Sequence, residues 1–590
     1  MPANLQANLQ GIALIVLLLG IAIKLSPKSV SIAGHDAGQL FLLAALPLFF
    51  IDFATSAEYA AGELHHVLAL EGLQQYAGYA DIAIALLNIA FGGLYIYALG
   101  VFRDGGGADT ASMRYLGPSV AIMVAFLLLE DYTLTVVVSS LSGADQLLST
   151  INQVDAAPIF HIFLGVGIAW LTCWLTLRGR KDAARITFII LFVYASLMLI
   201  TFVALWIQSV QGVTAAPLPQ PFVYPQIPAN GNVLGLITNK AYVHLSNGSV
   251  IGTLANSVLH GLVALTGLEA VSNGLQFIKN EDAKYVVWGK KHFPKLQSVW
   301  GFLAGRVGVG RTIQFGFLFW GGITTALNSH FSNYYNVIDG TNGRTLVGNL
   351  AYIALVPVGG VALYFFRQVW SSLTLSFANM TAYEDMQSTA YRDGVRGILP
   401  IALVYRSPNG NFPRPVLVTF GIATLIMVLV GGNTSAAIPF YGIGVFAPIA
   451  FMGFAVRAHL VHTKPRGYKV AGTLAFITGS LSVLIFMSQI VGKFEEGGWI
   501  RLVTFSSLYI SGHLILLSQG GKRSDELARH LIHDISRIEG TMAELLTWQA
   551  HMMQTYRHNL LERIRRWRAH KKISLELQQY PPYQIHYDQH

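Results

Sequence analysis

The 590-residue sequence is 53% hydrophobic and only 12% charged, a composition typical of polytopic membrane proteins and not of soluble domains. Its apolar runs are continuous and roughly 17–25 residues long, which suits membrane-crossing helices and disfavours a β-barrel, whose strands alternate. The formal charge of +9 does not indicate a nucleic-acid partner, because the basic residues fall in loops and in the tail.

The first apolar run, residues 11–25, is short and has Lys24 and Lys28 towards its end. It could be the core of a signal peptide, but no charged residues precede it and no clear small-residue cleavage site follows it. We therefore expect residues 1–37 to form an N-terminal segment with an extra helix, which either spans the membrane or lies in its interface.

Beyond this segment, residues 38–520 contain twelve candidate membrane spans. The loops after the second, fourth, sixth, eighth and tenth spans are rich in Lys and Arg, whereas the other loops carry only scattered positive charges. By the positive-inside rule, the first of these spans starts in the cytoplasm and the basic tail returns there. The candidate spans are 38–70, 77–101, 117–149, 157–177, 186–208, 249–277, 313–335, 361–388, 416–431, 436–456, 470–491 and 501–518.

Two connections and one charge interrupt this pattern. Residues 211–246 are rich in Pro, Gly and Asn and are expected to form an external loop. Residues 341–360 are expected to form a half-buried external helix and hairpin. Arg367 lies a turn or two inside the eighth span, where it either snorkels outward or pairs with an acid, and the sequence leaves both possibilities open.

Residues 521–590 are predicted to form a basic, helical, cytoplasmic tail. Apolar residues recur there as in a short heptad seam, which would allow a homodimer to form through this helix. Alternatively, the tail is an amphipathic helix on the inner leaflet, held by Arg and Lys residues. The seam consists of Ile535, Ile538, Met542, Leu545, Gln549, Met552 and Tyr556, and the basic cluster of Arg563, Arg565, Arg566, Arg568, Lys571 and Lys572.

The first span contains the stretch FLLAALPLFFIDFATSAEYAAGEL at residues 41–64. Asp52 and Glu58 fall near the middle of the bilayer, where a charge costs about 2.5–3.5 kcal/mol and normally faces a protein-lined cavity. The small and hydroxylated residues between Asp52 and Tyr59 have poor helix propensity. We interpret the stretch as a broken helix whose carbonyls and side chains line a cation site. The alternative is a tilted helix end with Asp52 already among the headgroups.

Hydroxyl groups also follow one face of the third span, which includes LLLEDYTLTVVVSSLSGADQ. Tyr132, Thr135 and Ser139 fall on one stripe of a helix, and Asp131 abuts that stripe. A hydroxyl group in a membrane helix often bonds only its own backbone. Three of them beside a carboxylate favour a binding site.

The sixth and tenth spans add an acid and an aromatic hydroxyl group. Glu269 lies deep in the sixth span, close after Thr266, where a carboxyl group shielded from water can exchange a proton near neutral pH. The alternative role for Glu269 is that of a hydrogen-bonded structural acid. Tyr441 lies in a helix made flexible by Pro and Gly and can reach a central cavity, although a lone aromatic residue in a span usually serves packing.

Five stretches are similar to known motifs. They are Asp52 to Tyr59 (D-x-L-S-S-x-A-Y), Gly105–Gly107 (a glycine triplet), Asp131 to Ser139 (D-Y-x-L-T-V-A-V-S), Thr266 to Asn273 (T-G-x-E-A-I-S-N) and Gly431 to Tyr441 (G-G-x-T-x-x-x-I-P-x-Y). Together they resemble the amino acid–polyamine–organocation (APC) superfamily and, within it, the KimA branch of KUP-type potassium transporters.

The resemblance implies an all-α polytopic membrane protein with a LeuT/APC-type 5+5 inverted repeat, two further helices, and broken first and sixth helices. It implies proton-coupled potassium uptake by alternating access, with residues 38–520 as the transporter domain in the bacterial cytoplasmic membrane and the C-terminus in the cytoplasm. Asp52 and Glu269 would serve gating and proton coupling. By the same resemblance, the residues around K⁺ would be Tyr59, Tyr132, Thr135, Ser139, Thr266 and Tyr441, with Asp131 nearby.

The sequence departs from the family pattern in three places. Glu58 stands where the family has a small residue, and residues 279–295 extend the loop after the sixth span with five lysines. The family's cytoplasmic α/β domain, which is associated with cyclic-dinucleotide control, does not fit into the tail. Control by cyclic di-AMP is therefore doubtful for this chain.

Two other functions compete with potassium uptake. An amino acid permease usually has glycines at the break of the first helix, but here Asp52 would repel a carboxylate, so a polyamine survives this argument better than an amino acid. A membrane sensor that binds an ion without transporting it is the second alternative. An enzyme is not expected, because the sequence contains no nucleotide loop, metal cluster or nucleophile–base arrangement. No cofactor is expected, and the lone Cys173 permits no intrachain disulfide.

Overall fold

Helices occupy every predicted span. The computed structural model describes residues 3–27, 40–103, 105–178, 183–213, 249–395, 398–400, 403, 407 and 411–518. The predicted tail, with its alternative roles in a dimer or at the inner leaflet, and most of the external loop at 211–246 lie outside these residues. Within them there is no β-strand, and a single bridge joins Leu40 to Ile278.

The described residues form α-helices of very different lengths. They are α1 (Ala3–Leu25), α2 (Leu42–Thr55), α3 (Ala57–Leu70), α4 (Ala77–Val101), α5 (Gly107–Tyr115), α6 (Pro118–Thr150), α7 (Pro158–Arg178), α8 (Ala183–Val210), α9 (Val250–Gly261), α10 (Ala270–Gly274), α11 (Lys284–His292), α12 (Gln297–Phe302), α13 (Gly305–Tyr334), α14 (Leu346–Val395), α15 (Pro413–Leu429), α16 (Thr434–Thr463), α17 (Tyr468–Gly492) and α18 (Trp499–Ser518).

Ten of the described helical segments are long and apolar enough to cross a membrane. Nine of them correspond to predicted spans, and the tenth is α1, the extra N-terminal helix. The predicted spans at α13, α15 and α18 do not meet this criterion; α15, for example, has only 17 residues. The total of twelve spans and the inverted repeat therefore stay predictions.

Large apolar side chains cover the outer faces of these helices. Ile82, Phe163, Phe319 and Leu484 are each more than half exposed, although they lie within long helices of the bundle. Such a surface is unusual in water and is the one that contacts acyl chains in a bilayer. The chain is a multi-pass, all-α membrane protein.

The N-terminal helix α1 packs against α14 where that element is kinked. Gly359 and Gly360 have non-helical backbone angles, and the side chain of Asn8 accepts a hydrogen bond from the backbone of Ala362 just after them. The predicted boundary near residue 360 is thus a break inside one element. The segment before it is partly buried: Leu350 and Ala354 lie in the core, whereas Val358 is 41% exposed.

The first span is only slightly interrupted. Ser56 alone separates α2 from α3, and its backbone angles remain close to helical. The carbonyl of Ala54 beside this break accepts hydrogen bonds from Tyr194 and Trp320, both at 3.3 Å. The predicted break is therefore only a slight irregularity, because Ser56 keeps helical hydrogen bonds to Asp52 O and from Ala60 N. Side chains already occupy one of the carbonyls that were expected to line a cation site.

The sixth span is broken more widely. α9 ends in a short 3₁₀ turn, Leu262–Leu265, after which Thr266 is extended and Gly267 has a positive φ of 81°. A Cβ atom on Gly267 would lie 3.0 Å from Asp52 Oδ2 and 3.2 Å from Phe53 N. Glycine is thus required here both for its backbone angle and for the close approach of the first span.

Candidate functional site

Four of the predicted ion ligands form two hydroxyl pairs between different helices. Tyr59 OH lies 3.4 Å from Thr266 Oγ1, which joins the breaks of the first and sixth spans. Thr135 Oγ1 on α6 lies 3.1 Å from Tyr441 OH on α16. All four side chains are buried. Residues far apart in the sequence therefore place their hydroxyl oxygens in one interior region.

The hydroxyl groups of both threonines also donate hydrogen bonds to backbone carbonyls of their own segments. This is the alternative role that a hydroxyl group in a membrane helix often has. Thr135 Oγ1 lies 2.9 Å from Asp131 O, and Thr266 Oγ1 lies 2.9 Å from Val263 O. A hydroxyl group has one proton but two lone pairs. A proton shared with the backbone leaves lone pairs for a tyrosine hydroxyl or for a cation.

Asp52 brings a carboxylate to these hydroxyl groups. It is buried against the break of the sixth span, and it interacts electrostatically with Tyr59 and Tyr441. Its Oδ1 atom has no hydrogen-bond partner among the described residues. An unpartnered buried carboxylate oxygen is costly, and a proton or a cation would relieve that cost. Protein surrounds Asp52, which favours the protein-lined site over the alternative of a helix end among the headgroups.

Tyr132 and Glu269 belong to a second polar group. Tyr132 OH accepts a hydrogen bond of 2.8 Å from Asn273 Nδ2 on α10. Glu269 interacts electrostatically with Tyr132, Asp131 and Asp385, and its buried Oε2 atom has no hydrogen-bond partner in the described part of the chain. The predicted ligand Tyr132 therefore lies with the proposed proton-coupling acid.

Asp131 and Ser139 are placed differently from the hydroxyl pairs. Asp131 Oδ1 lies 3.8 Å from Arg501 Nη2, so a fixed internal cation already neutralises part of its charge. Ser139 is buried, but no hydrogen bond between it and the other candidate ligands is present among the described residues. The ligand role that the resemblance assigned to Ser139, and the nearby position that it assigned to Asp131, have less geometric support than the ligand roles in the two hydroxyl pairs.

Sequence reasoning did not single out Arg501, which lies on α18 and is 2% exposed. It donates hydrogen bonds to the carbonyls of Phe440 and Tyr441, and its Nε lies 3.6 Å from Glu130 Oε2. It therefore holds α16 at Tyr441 while facing the acids of α6. The sequence did offer one signal for Arg501, because this charged residue is the first of the predicted span 501–518.

A buried ion pair settles the alternatives for Arg367. Its Nη2 lies 2.9 Å from Glu58 Oε1, and the two side chains are at most 1% exposed. Ser371 donates to the same oxygen at 3.1 Å, and Arg367 Nη1 donates to Gln368 Oε1 at 2.6 Å. Arg367 pairs with an acid and does not snorkel. The acid is Glu58, the residue that departs from the family motif.

Comparisons with known proteins agree with this architecture. Residues 43–289 match the family model for amino acid permeases. The potassium transporter KimA of Bacillus subtilis (strain 168) is 24% identical over 462 residues, which cover 78% of this chain and 67% of that protein. The predicted resemblance is confirmed. Over the matched regions the chain is similar to membrane transporters of the APC type.

Solved structures of an Eremococcus coleocola manganese transporter are also similar. The complex with an aromatic bis-isothiourea compound has a TM-score of 0.43 at 13% identity, covering 82% of this chain and 97% of that one. A mutant of the same transporter has a TM-score of 0.45 at 14% identity, with the same coverage.

Proposed function

We propose that this chain is a potassium uptake transporter that works by alternating access and is coupled to protons. The observation that carries the proposal is the meeting of the Tyr59–Thr266 and Thr135–Tyr441 hydroxyl pairs beside the buried carboxylate of Asp52. The similarity to a protein named as a potassium transporter supports the choice of ion. Lipid and the two transported ions are then its partners, and the bacterial inner membrane is its location.

The chemistry of the hydroxyl pairs favours K⁺. A dehydrated potassium ion needs several oxygen ligands, and neutral hydroxyl and carbonyl oxygens replace its water shell without holding it too tightly. One carboxylate in the same region adds attraction for a cation and repels an amino acid carboxylate. An inside-negative membrane potential contributes about 2.3 kcal/mol per elementary charge for every 100 mV.

Proton coupling is assigned to the two acids with unpartnered buried oxygens, Asp52 and Glu269. Glu269 lies among other acids and near the Tyr132–Asn273 pair, so its charge state affects the group beside the ion region. In this proposal, Glu269 takes up a proton from the outside as K⁺ binds and gives that proton up to the cytoplasm when the ion is released. Tyr132, Asp131 and Ser139 are retained as outer members of the site.

The test is uptake of rubidium and of putrescine, measured side by side in proteoliposomes with an inside-negative potential. We expect rubidium uptake that potassium inhibits and that an inward proton gradient accelerates. Uptake of putrescine in preference to rubidium would replace the proposal with polyamine transport. Absence of both fluxes, with a correctly folded protein, would favour a sensor.

A further inference from the structure

A second charged region lies at the end of α4 and the start of α13, two helices that carry none of the candidate ion ligands. The end of α4, the segment after the sixth span and the start of α13 enclose a cavity of about 260 Å³. The positive-inside pattern assigns these ends to the cytoplasmic side. The cavity lining includes Arg103, Arg306 and Arg311, together with Gly100 and Asn280.

The three guanidinium groups are held in place by the backbone. Their Nε atoms donate to carbonyl oxygens: Arg103 to Gly100 at 3.2 Å, Arg306 to Ile278 at 2.7 Å and Arg311 to Ile96 at 3.2 Å. The described residues place no acceptor on the terminal nitrogens of Arg103 and Arg306. Fixed guanidinium forks with free N–H groups are suited to bind a phosphate.

These charges also lack a counter-ion. Arg103 and Arg311 are close enough to interact electrostatically, and no carboxylate within the described ranges forms an ion pair with any of the three arginines. The neighbouring acids Glu281 and Asp282 are paired instead with Lys279 and Lys290, both at 2.5 Å. Like charges around one cavity attract an anion.

The segment beside the cavity has the surface of a membrane-interface element. α11, α12 and the turn between them expose large apolar side chains at 40–55% of their area, next to exposed lysines. Apolar and basic residues on one short helical segment are typical of binding to an anionic leaflet. The exposed apolar residues are Val287, Trp288, Phe293, Leu296, Val299 and Phe302.

We propose that this arginine-lined cavity binds the phosphate of an anionic phospholipid headgroup at the cytoplasmic leaflet, with α11 and α12 lying in the interface beside it. The extension with five lysines, which the ion site does not use, then lies beside this pocket as a basic surface that faces the lipid. The volume exceeds several-fold the roughly 30 Å³ that one water molecule occupies, so a phosphodiester group fits. A lipid, unlike free phosphate, also has acyl chains that can cover the exposed apolar residues of α11 and α12.

The test is native mass spectrometry of the full-length detergent-purified chain with equimolar phosphatidylglycerol and phosphatidylcholine. We expect preferential retention of phosphatidylglycerol, and a loss of about tenfold or more in the Arg103→Gln/Arg306→Gln/Arg311→Gln variant. The matched control is Lys464→Gln/Arg466→Gln/Lys469→Gln, which removes three exposed charges from another loop on the same predicted side. Its retention of the lipid should stay within about threefold of wild type.

A second variant keeps the charge and moves one guanidinium group. A Cβ atom on Gly100 would clash with Arg311 Nη2, a flexible side-chain end that can move, so Gly100→Ala should displace that group without unfolding the chain. We expect a clear loss of phosphatidylglycerol preference. Equal retention of both lipids by wild type, or equal losses in the arginine variant and the lysine–arginine control, would overturn the proposal. Displacement of the lipid by millimolar inorganic phosphate would overturn the lipid as the ligand.

Discussion

Replacing Arg367 with glutamine should strongly destabilise the protein, because it leaves the Glu58 carboxylate buried without its cation. Glu58 Oε1 would lose the Arg367 Nη2 contact at 2.9 Å and retain the single hydrogen bond from Ser371 at 3.1 Å. Removing one member of a fully buried ion pair typically costs about 3–5 kcal/mol. Glu58→Gln should cost a similar amount, because Arg367 is then the uncompensated charge.

The double variant Glu58→Gln/Arg367→Gln separates the ion pair from simple loss of contacts. Removing both charges relieves the desolvation cost that each single variant exposes, so the double variant should be more stable than either single variant. The double-mutant cycle compares the free energies of unfolding of wild type, both single variants and the double variant. Each is measured by denaturant titration in mixed micelles. Arg466→Gln, at an exposed position, is the control and should change the stability by less than about 0.5 kcal/mol. A single-variant cost below about 1 kcal/mol, or costs that simply add, would refute the buried-pair account.

Three further predictions concern transport. Glu269→Gln should remove the acceleration of rubidium uptake by a proton gradient while potential-driven uptake persists; a preserved pH response would exclude Glu269 as the coupling acid. Arg501→Gln should raise the rubidium concentration needed for half-maximal uptake, and Arg501→Lys should restore only part of it, since lysine cannot bond two carbonyls and face Asp131 together. Gly267→Ala should abolish uptake. The control is Gly72→Ala, at a positive φ of 66° with open space around it, which should lower stability by about 1–2 kcal/mol and leave uptake intact. Similar uptake by both variants would show that the close approach at Gly267 is unimportant.

The sequence was informative where local chemistry sets the structure. Continuous apolar runs located the helices, because the bilayer demands length and hydrophobicity at each span. The break of the sixth span was expected from the resemblance, and the structure places it at Thr266 and Gly267, where the positive φ favours glycine. Hydroxyl groups and acids at mid-span marked Tyr59 and Thr135 as candidates because such groups are rare in lipid. Tyr441 was a candidate only through the resemblance.

Long-range pairing was not predictable from the same signals. The partner of Arg367 lies 309 residues away, and no local pattern distinguishes Glu58 from the other mid-span acids. The position of α18 against α6 likewise decides that Arg501 faces Asp131, and helix packing sets this contact. Ser139 lies on the predicted face of α6 but is not hydrogen-bonded to the other ligands in the described region. Its position on that face sets the direction of the side chain, but not its distance from residues on other helices.

Equilibrium binding of rubidium-86 to the purified protein tests the ion site most directly. We predict binding that potassium displaces and that sodium and putrescine do not. Tyr59→Phe and Thr135→Val should each weaken it by about tenfold, since one lost oxygen contact is worth about 1.4 kcal/mol. Thr133→Val, which removes a hydroxyl group bonded to its own backbone at 2.9 Å, should leave the affinity unchanged. Absence of displaceable binding, or equal affinities in all three variants and wild type, would contradict the proposed potassium site.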